Sequence, residues 1–235
     1  MHTKSKHIVG GVIFFLGIFT GLALALTAVW GKYEAVSYFF EGTTYASFNG
    51  LRCPVLTTRS EIGLVRAIFD NPSGQDYEPY YQMEIGGTVP RNFEDHLLLK
   101  PHASESVQWA VGANDINLEY FILAKLDTLP DAVYPAREAT CGTLVLNISN
   151  FTGGQLFWFM LIFSLITIPG GFALWTTTNS LLIGKALELQ RAVLTLAILV
   201  PLSLFAGLMG WWFMGIILCA VTFLLLAIML SLAIS

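Results

Sequence analysis

Side chains able to do chemistry are few in this chain and lie close together. Glu94-Asp95-His96, followed by His102 and Glu105, gathers residue types that ligate metal ions. A metal site needs such groups to converge at about 2.0–2.2 Å, and this spacing matches no zinc or transition-metal pattern. The expectation is an acidic, solvated turn without a metal. Asp76-Tyr77-Glu78-Pro79-Tyr80-Tyr81 sets phenol rings among carboxylates. Tyrosine is over-represented where proteins dock, so Tyr77, Tyr80 and Tyr81 are the candidate partner contacts; the alternative is that alternate rings fill a core. No Gly-x-Ser-x-Gly, P-loop or Cys-x-x-Cys occurs. No nucleophile elbow, nucleotide cradle or redox pair is therefore implied, and the reading is a non-enzyme without a cofactor.

The elements that must position these residues divide sharply by composition. A soluble chain carries about a quarter charged residues, whereas here 12% are charged and 55% hydrophobic, with a mean hydropathy of +0.66. From Ala139 onward only Lys185, Glu188 and Arg191 are charged. Residues 32–138 hold eight Lys and Arg against fifteen Asp and Glu, net −7, while the remainder is net +3. Such an acidic stretch makes nucleic acid an unsuitable partner.

Crossing about 30 Å of hydrocarbon takes about 20 apolar residues in a helix. Ile8–Trp30 and Leu156–Trp175 meet that length, and Ala192–Ser235 is long enough for two spans. Gly207, Gly210, Trp211 and Trp212 place a turn in it, giving spans Ala192–Met209 and Phe213–Ile234. Lys4 and Lys6 precede the first span, and Lys185 and Arg191 separate the second from the third. The bias of basic residues toward the cytoplasm then puts both termini inside. Trp30, Trp158, Trp175, Trp211 and Trp212 fall at span ends, where indole rings anchor at the interface. A cleaved signal peptide is the alternative for the first span, through Ala23-Leu24-Ala25. Gly17, Gly21 and Ala25 recur every four residues, a small-residue groove for close helix packing with another span of the chain or with a different subunit. Pro169 and Pro201 are expected kinks. Thr176–Ser180 reads as a polar turn and Leu181–Leu189 as an amphipathic stretch, with Lys185 and Glu188 spaced to pair. No span contains an ionisable side chain of the kind that marks pumps and proton-coupled transporters.

Between the first two spans the pattern becomes short apolar runs separated by Gly, Pro, Asn and Asp, the signature of an all-β domain. Expected strands are Val36–Phe40, Val55–Thr58, Gly63–Phe69, Tyr80–Ile85, His96–Leu99, Ser106–Val111, Glu119–Leu126 and Gly142–Ile148. Cys53 and Cys141 bracket this domain on the oxidising side while Cys219 lies in an apolar span. A Cys53–Cys141 disulfide is the natural pairing and two reduced, buried thiols the alternative. Asn147-Ile148-Ser149 and Asn150-Phe151-Thr152 fit the glycosylation pattern but crowd the second span.

Val65-Arg66-Ala67-Ile68-Phe69-Asp70-Asn71-Pro72-Ser73 and Leu99-Lys100-Pro101-His102-Ala103-Ser104-Glu105-Ser106-Val107-Gln108-Trp109 resemble bacterial immunoglobulin-like sandwich domains over about residues 51–149. The resemblance implies a fold and no activity. The expected fold class is an α+β membrane protein: residues 1–31 an inner N-terminus and helix, 32–152 an extracytoplasmic β-sandwich, 153–235 three further helices with a cytoplasmic loop at 176–191. The expected location is the plasma membrane. The function this organisation implies is an accessory, assembly or scaffold subunit whose partners are the lipid bilayer, other membrane or extracytoplasmic subunits, or further copies of itself. Four spans with a large first loop also resemble the claudin-type layout of adhesion and barrier proteins, with Asn49-Gly50-Leu51-Arg52-Cys53 near their signature. A channel or transporter subunit using Thr167, Thr195 and Ser203 is the third reading.

Overall fold

The computed structural model describes residues 2–40, 46–129, 135–176 and 185–234. Its elements are α1 His2–Tyr38, β1 Ala46–Ser47, β2 Leu51–Arg52, β3 Leu56–Thr58, β4 Gly63–Asp70, β5 Tyr80–Ile85, β6 Arg91–His96 and β7 Ser104–Val111. They continue with β8 Ile116–Asn117, β9 Phe121–Thr128, β10 Arg137–Leu146, α2 Gly153–Thr176, α3 Lys185–Leu208 and α4 Trp212–Ile234. Two compact units result: a helical unit, Met1–Val29 with Phe157–Ser235, and a β unit, Trp30–Leu156. The class is α+β, and four helices are long and apolar enough to cross a membrane. Of the expected amphipathic stretch Leu181–Leu189, residues 185–189 form the first part of α3; residues 177–184, the side chains of 185–189 with the Lys185–Glu188 pair, and the side chains of Lys4 and Lys6 lie outside the described residues.

In the helical unit, polarity does not distinguish inside from outside. Ile8, Phe159, Ile166, Phe213 and Leu224 are exposed while Phe14, Ile18, Leu24 and Leu196 are buried. A Cβ added at Gly21 would stand 2.5 Å from the Ser164 hydroxyl, too close for any larger residue. The Ser164 hydroxyl donates to the Gly17 carbonyl at 3.0 Å. Gly17 faces Thr167 and Ile168 of α2, and Gly21 also meets Val200 of α3, so this chain's own helices occupy the small-residue groove, and Ala25 is fully buried. Pro169 and Pro201 lie within α2 and α3. The last two helices separate at Gly210, whose φ of 78° is left-handed. The Trp211 amide returns to the Ala206 carbonyl at 2.9 Å and the Gly210 amide to Gly207 at 3.1 Å. This is the paired capping pattern that lets glycine end a helix.

In the β unit two sheets share one core. The larger runs β1-β10-β9-β5-β6, with β3 also on β10 and β8 on β9; the smaller is β2-β4-β7. β10 is parallel to both β1 and β3 and antiparallel to β9, so the larger sheet is mixed. Val65, Phe69, Trp109 and Val111 from the smaller sheet meet Met83, Ile85, Ile122 and Leu126 from the larger. Strand β9 is buried on both faces: Ile122, Ala124 and Leu126 point into this core, while Phe121 and Leu123 pack against Ala35 and Phe39.

That second contact corrects one expectation, because Val36–Phe40 is not a strand. Helix α1 runs on to Tyr38, since Ala35 and Phe39, one turn apart, seat an apolar helical face on the sheet. Boundaries shifted elsewhere too. His96–Leu99 was expected where β6 covers Arg91–His96, and Gly142–Ile148 where β10 covers Arg137–Leu146.

Candidate functional site

Segment Ala46–Arg52 changes sheets within seven residues. The Phe48 amide donates to the Glu138 carbonyl at 2.9 Å, keeping its start on β10, and the Ile68 amide donates to the Gly50 carbonyl at 3.1 Å, holding its end to β4. Where it crosses, one end of the β unit opens into a cleft of about 360 Å³. Its wall includes Pro72, which is fixed by the buried Asn71. The Asn71 amide nitrogen donates to the carbonyls of Gln75 at 2.8 Å, Lys100 at 3.0 Å and Leu99 at 3.1 Å. The Asn71 side-chain oxygen accepts from the Ser73 amide at 3.0 Å and hydroxyl at 2.6 Å. The Asn-Pro-Ser stretch is thus a loop fastening with its polar capacity used up.

Aromatic rings lead inward from the cleft. Phe48 and Phe69 line it with centroids 5.1 Å apart; Tyr81 follows Phe69 at 5.2 Å and Trp109 follows Tyr81 at 5.9 Å. The polar lining includes Arg52, Arg137, Asp70 and Asn49. Both arginines are exposed. Arg52 donates to the neighbouring Leu51 carbonyl at 3.3 Å, and Asp70 accepts the Ser104 hydroxyl at 2.5 Å. Tyr77 joins the wall through its reciprocal backbone pair with Leu99, at 2.9 and 2.7 Å.

The structure separates the three tyrosines predicted as one surface. Tyr77 lines the cleft. Tyr80 stands on the opposite face of β5, donating its hydroxyl to the Glu94 carboxylate at 2.5 Å; that bond holds its phenol above the usual range. Tyr81 is corrected to the core, 5% exposed, because strand alternation turns it inward, and burial raises its phenol too. Cys53 and Cys141 are bonded, with Cα atoms 5.9 Å apart. Trp30, Trp158 and Trp211 are exposed and Trp212 is partly so. Trp175 departs from the anchor expectation: it is 8% exposed, turned toward α1, where its backbone crosses close to Gly10. Glu94, Asp95 and His96 lie on β6 rather than a turn, so alternation sends them to opposite faces. Among the described residues no three metal-ligating side chains converge.

Sequence reasoning missed the joints at the ends of two helices. Gly31 and Gly142 bring the backbones of α1 and β10 into contact, and the Lys32 ammonium donates to the Thr140 carbonyl and hydroxyl. On the same sheet face the nearly buried Lys125 pairs with Asp127 at 3.2 Å. At the start of α2, one Glu61 carboxylate oxygen accepts from the Thr57 hydroxyl at 2.8 Å, the Thr58 amide at 2.9 Å and the Gly153 amide at 2.8 Å. Thr152 and Gln155 add a reciprocal capping box, at 3.2 and 3.0 Å, whose Thr-x-x-Gln spacing is a readable sequence signal.

No protein-family model matches the chain, and no curated protein matches it. Solved structures offer partial likenesses. A Paenibacillus cycloisomaltooligosaccharide glucanotransferase aligns at 11% identity over 45% of this chain and 14% of its own, with a TM-score of 0.31. A β-glucosidase of Erythrobacter marinus aligns at 13% identity over 44% of this chain and 15% of its own, with a TM-score of 0.29. The chain therefore spans about a seventh of each, and neither likeness bears on fold or activity.

Proposed function

We propose that this is a non-enzymatic, multi-pass membrane protein. Its four helices assemble in the bilayer and its β unit, outside the cytoplasm, docks another protein as the accessory or scaffold subunit of a larger complex. Four apolar helices whose exposed faces are as apolar as their buried ones support the membrane part, since lipid accepts no unpaired polar surface. Basic residues flanking the spans support cytoplasmic termini. The immunoglobulin-like reading draws support from strand order: β2-β4-β7 against β3-β10-β9-β5-β6, with an early strand parallel to the last, is an arrangement that sandwiches of that kind use. One observation carries the docking role, the open cleft at the end of the β unit lined by Arg, Tyr and Phe, side chains enriched at protein interfaces.

A photoreactive amino acid placed at Asn49, in the cleft, and in a second variant at the exposed Gln108 of β7 tests this on the full chain in its native membrane. The expected result is one protein adduct from position 49 and none from 108. A chain that forms no adduct at either position and leaves mild detergent as a lone monomer overturns the docking role. Cleavage of the exposed Thr88–Pro90 turn by protease added to intact cells is expected if the β unit is outside; protection there overturns the orientation.

A further inference from the structure

We propose that the cleft receives an acidic peptide segment, an extended stretch of the partner that sets a carboxylate side chain beside an aromatic or aliphatic one. This deepens the docking reading and rests on it. Charge is the first ground. The β unit is strongly acidic, yet two arginines share this one concavity. Among the described residues neither Arg52 nor Arg137 pairs with a carboxylate: Arg52 donates to the neighbouring Leu51 carbonyl, and the Arg137 guanidinium makes no hydrogen bond to a described residue. The contrast is Arg91, whose guanidinium pairs with Asp115 at 2.7 Å. Asp70, which also lines the cleft, accepts the Ser104 hydroxyl, and against the two arginines it leaves the described lining with a net positive charge. Guanidinium groups match carboxylates through two parallel hydrogen bonds, so an incoming Asp or Glu supplies the partner that the described lining does not.

Shape and surroundings narrow the class further. Phe48, Phe69 and Pro72 give the cleft an apolar wall, which a bare anion leaves unused. At about 360 Å³ it is at the small end of ligand sites, about 300–1,000 Å³, room for a few side chains rather than a globular surface. A polyanion such as nucleic acid would bring its other phosphates against Asp76, Glu78 and the rest of an acidic unit, and is repelled. A short segment with one or two carboxylates reaches the arginines without that penalty.

The test uses the full chain in mild detergent and fluorescent short peptides in which Phe alternates with Glu, Gln or Lys. The Glu peptide is expected to bind, the Gln and Lys peptides at least about tenfold more weakly. Arg52→Ala with Arg137→Ala should weaken the Glu peptide about tenfold or more while the melting temperature stays put. Equal binding of the Gln peptide, no binding of any peptide, or indifference to the double substitution overturns the proposal. So does inorganic sulfate that saturates the same arginines and displaces the Glu peptide at its own affinity, which defines a simple anion site. If the unsubstituted chain forms the adduct at position 49 but binds no peptide, docking stands and the acidic-segment inference falls; if it shows neither adduct nor peptide binding, both fall.

Discussion

The helical unit and the β unit solve the same packing problem with opposite materials. Along β4 and β5 buried side chains alternate with more accessible ones, as expected of a sheet with one dry face. The helices show no such contrast, and their interior is picked out by small residues, Gly17, Gly21 and Ser164, that let backbones approach. In the membrane setting proposed for these helices, sorting by polarity brings no gain and close approach does. Where water is the solvent, specific polar bonds and covalent closure can define a fold. The two units should therefore fail for different reasons.

The sharpest way to break that contrast is to remove the disulfide. Cys53→Ala with Cys141→Ala opens a loop of 88 residues and is expected to cost the β unit up to about 4–5 kcal/mol in the chain-entropy account. Guanidinium denaturation followed by near-ultraviolet circular dichroism reads it, and the helical transition should not move. Asn71→Ala comes next, about 2–3 kcal/mol, because three carbonyls and the Ser73 amide lose their partner in a buried loop. Chymotrypsin should then cut near Tyr77 at denaturant concentrations where the parent resists. Gly17→Val probes the other material: overpacking against Thr167 and Ile168 should cost the helical unit about 2 kcal/mol, read by loss of helicity in detergent titration with the β unit unaffected. Glu61→Ala frees the first amide of α2 and should cost about 1 kcal/mol, seen as faster amide exchange at Gly153. A larger effect on the partner unit than on its own, in any of these, would dissolve the distinction.

The smallest effect concerns pH. Tyr80 donates to Glu94, so its phenol ionises above the ordinary range in the folded protein. A folded pKa raised in this way stabilises fully below the unfolded value of about 10 and is lost as pH rises through the folded one. Ultraviolet titration of Glu94→Gln against the parent should show one phenol returning toward the ordinary range.

The four long apolar helices and the turn at Gly210 were legible because apolar length and a glycine stop are local signals. Tyr80–Ile85 was read to the residue, since flanking turns and alternation agree there. Val36–Phe40 failed because aromatic and β-branched residues favour a strand locally, while the sheet surface rewarded continuation of α1 through Ala35 and Phe39. The cleft could not be read at all. Its arginines, at positions 52 and 137, and its rings, at 48 and 69, meet only once the sheets stack, and nothing in their spacing announces that.

Strand β10 sits between β9 and the strands that open the unit, β1 and β3, so the first and last parts of the β unit are hydrogen-bonded neighbours. During synthesis β1 and β3 must wait for β10, leaving their side toward that strand unclosed until nearly the whole unit has left the ribosome. Pairings so distant along the chain form slowly, and unpaired strand edges invite association with other chains. A nascent-chain arrest series should accordingly show protease resistance arriving in one late step, after Leu146 becomes available, rather than accumulating strand by strand.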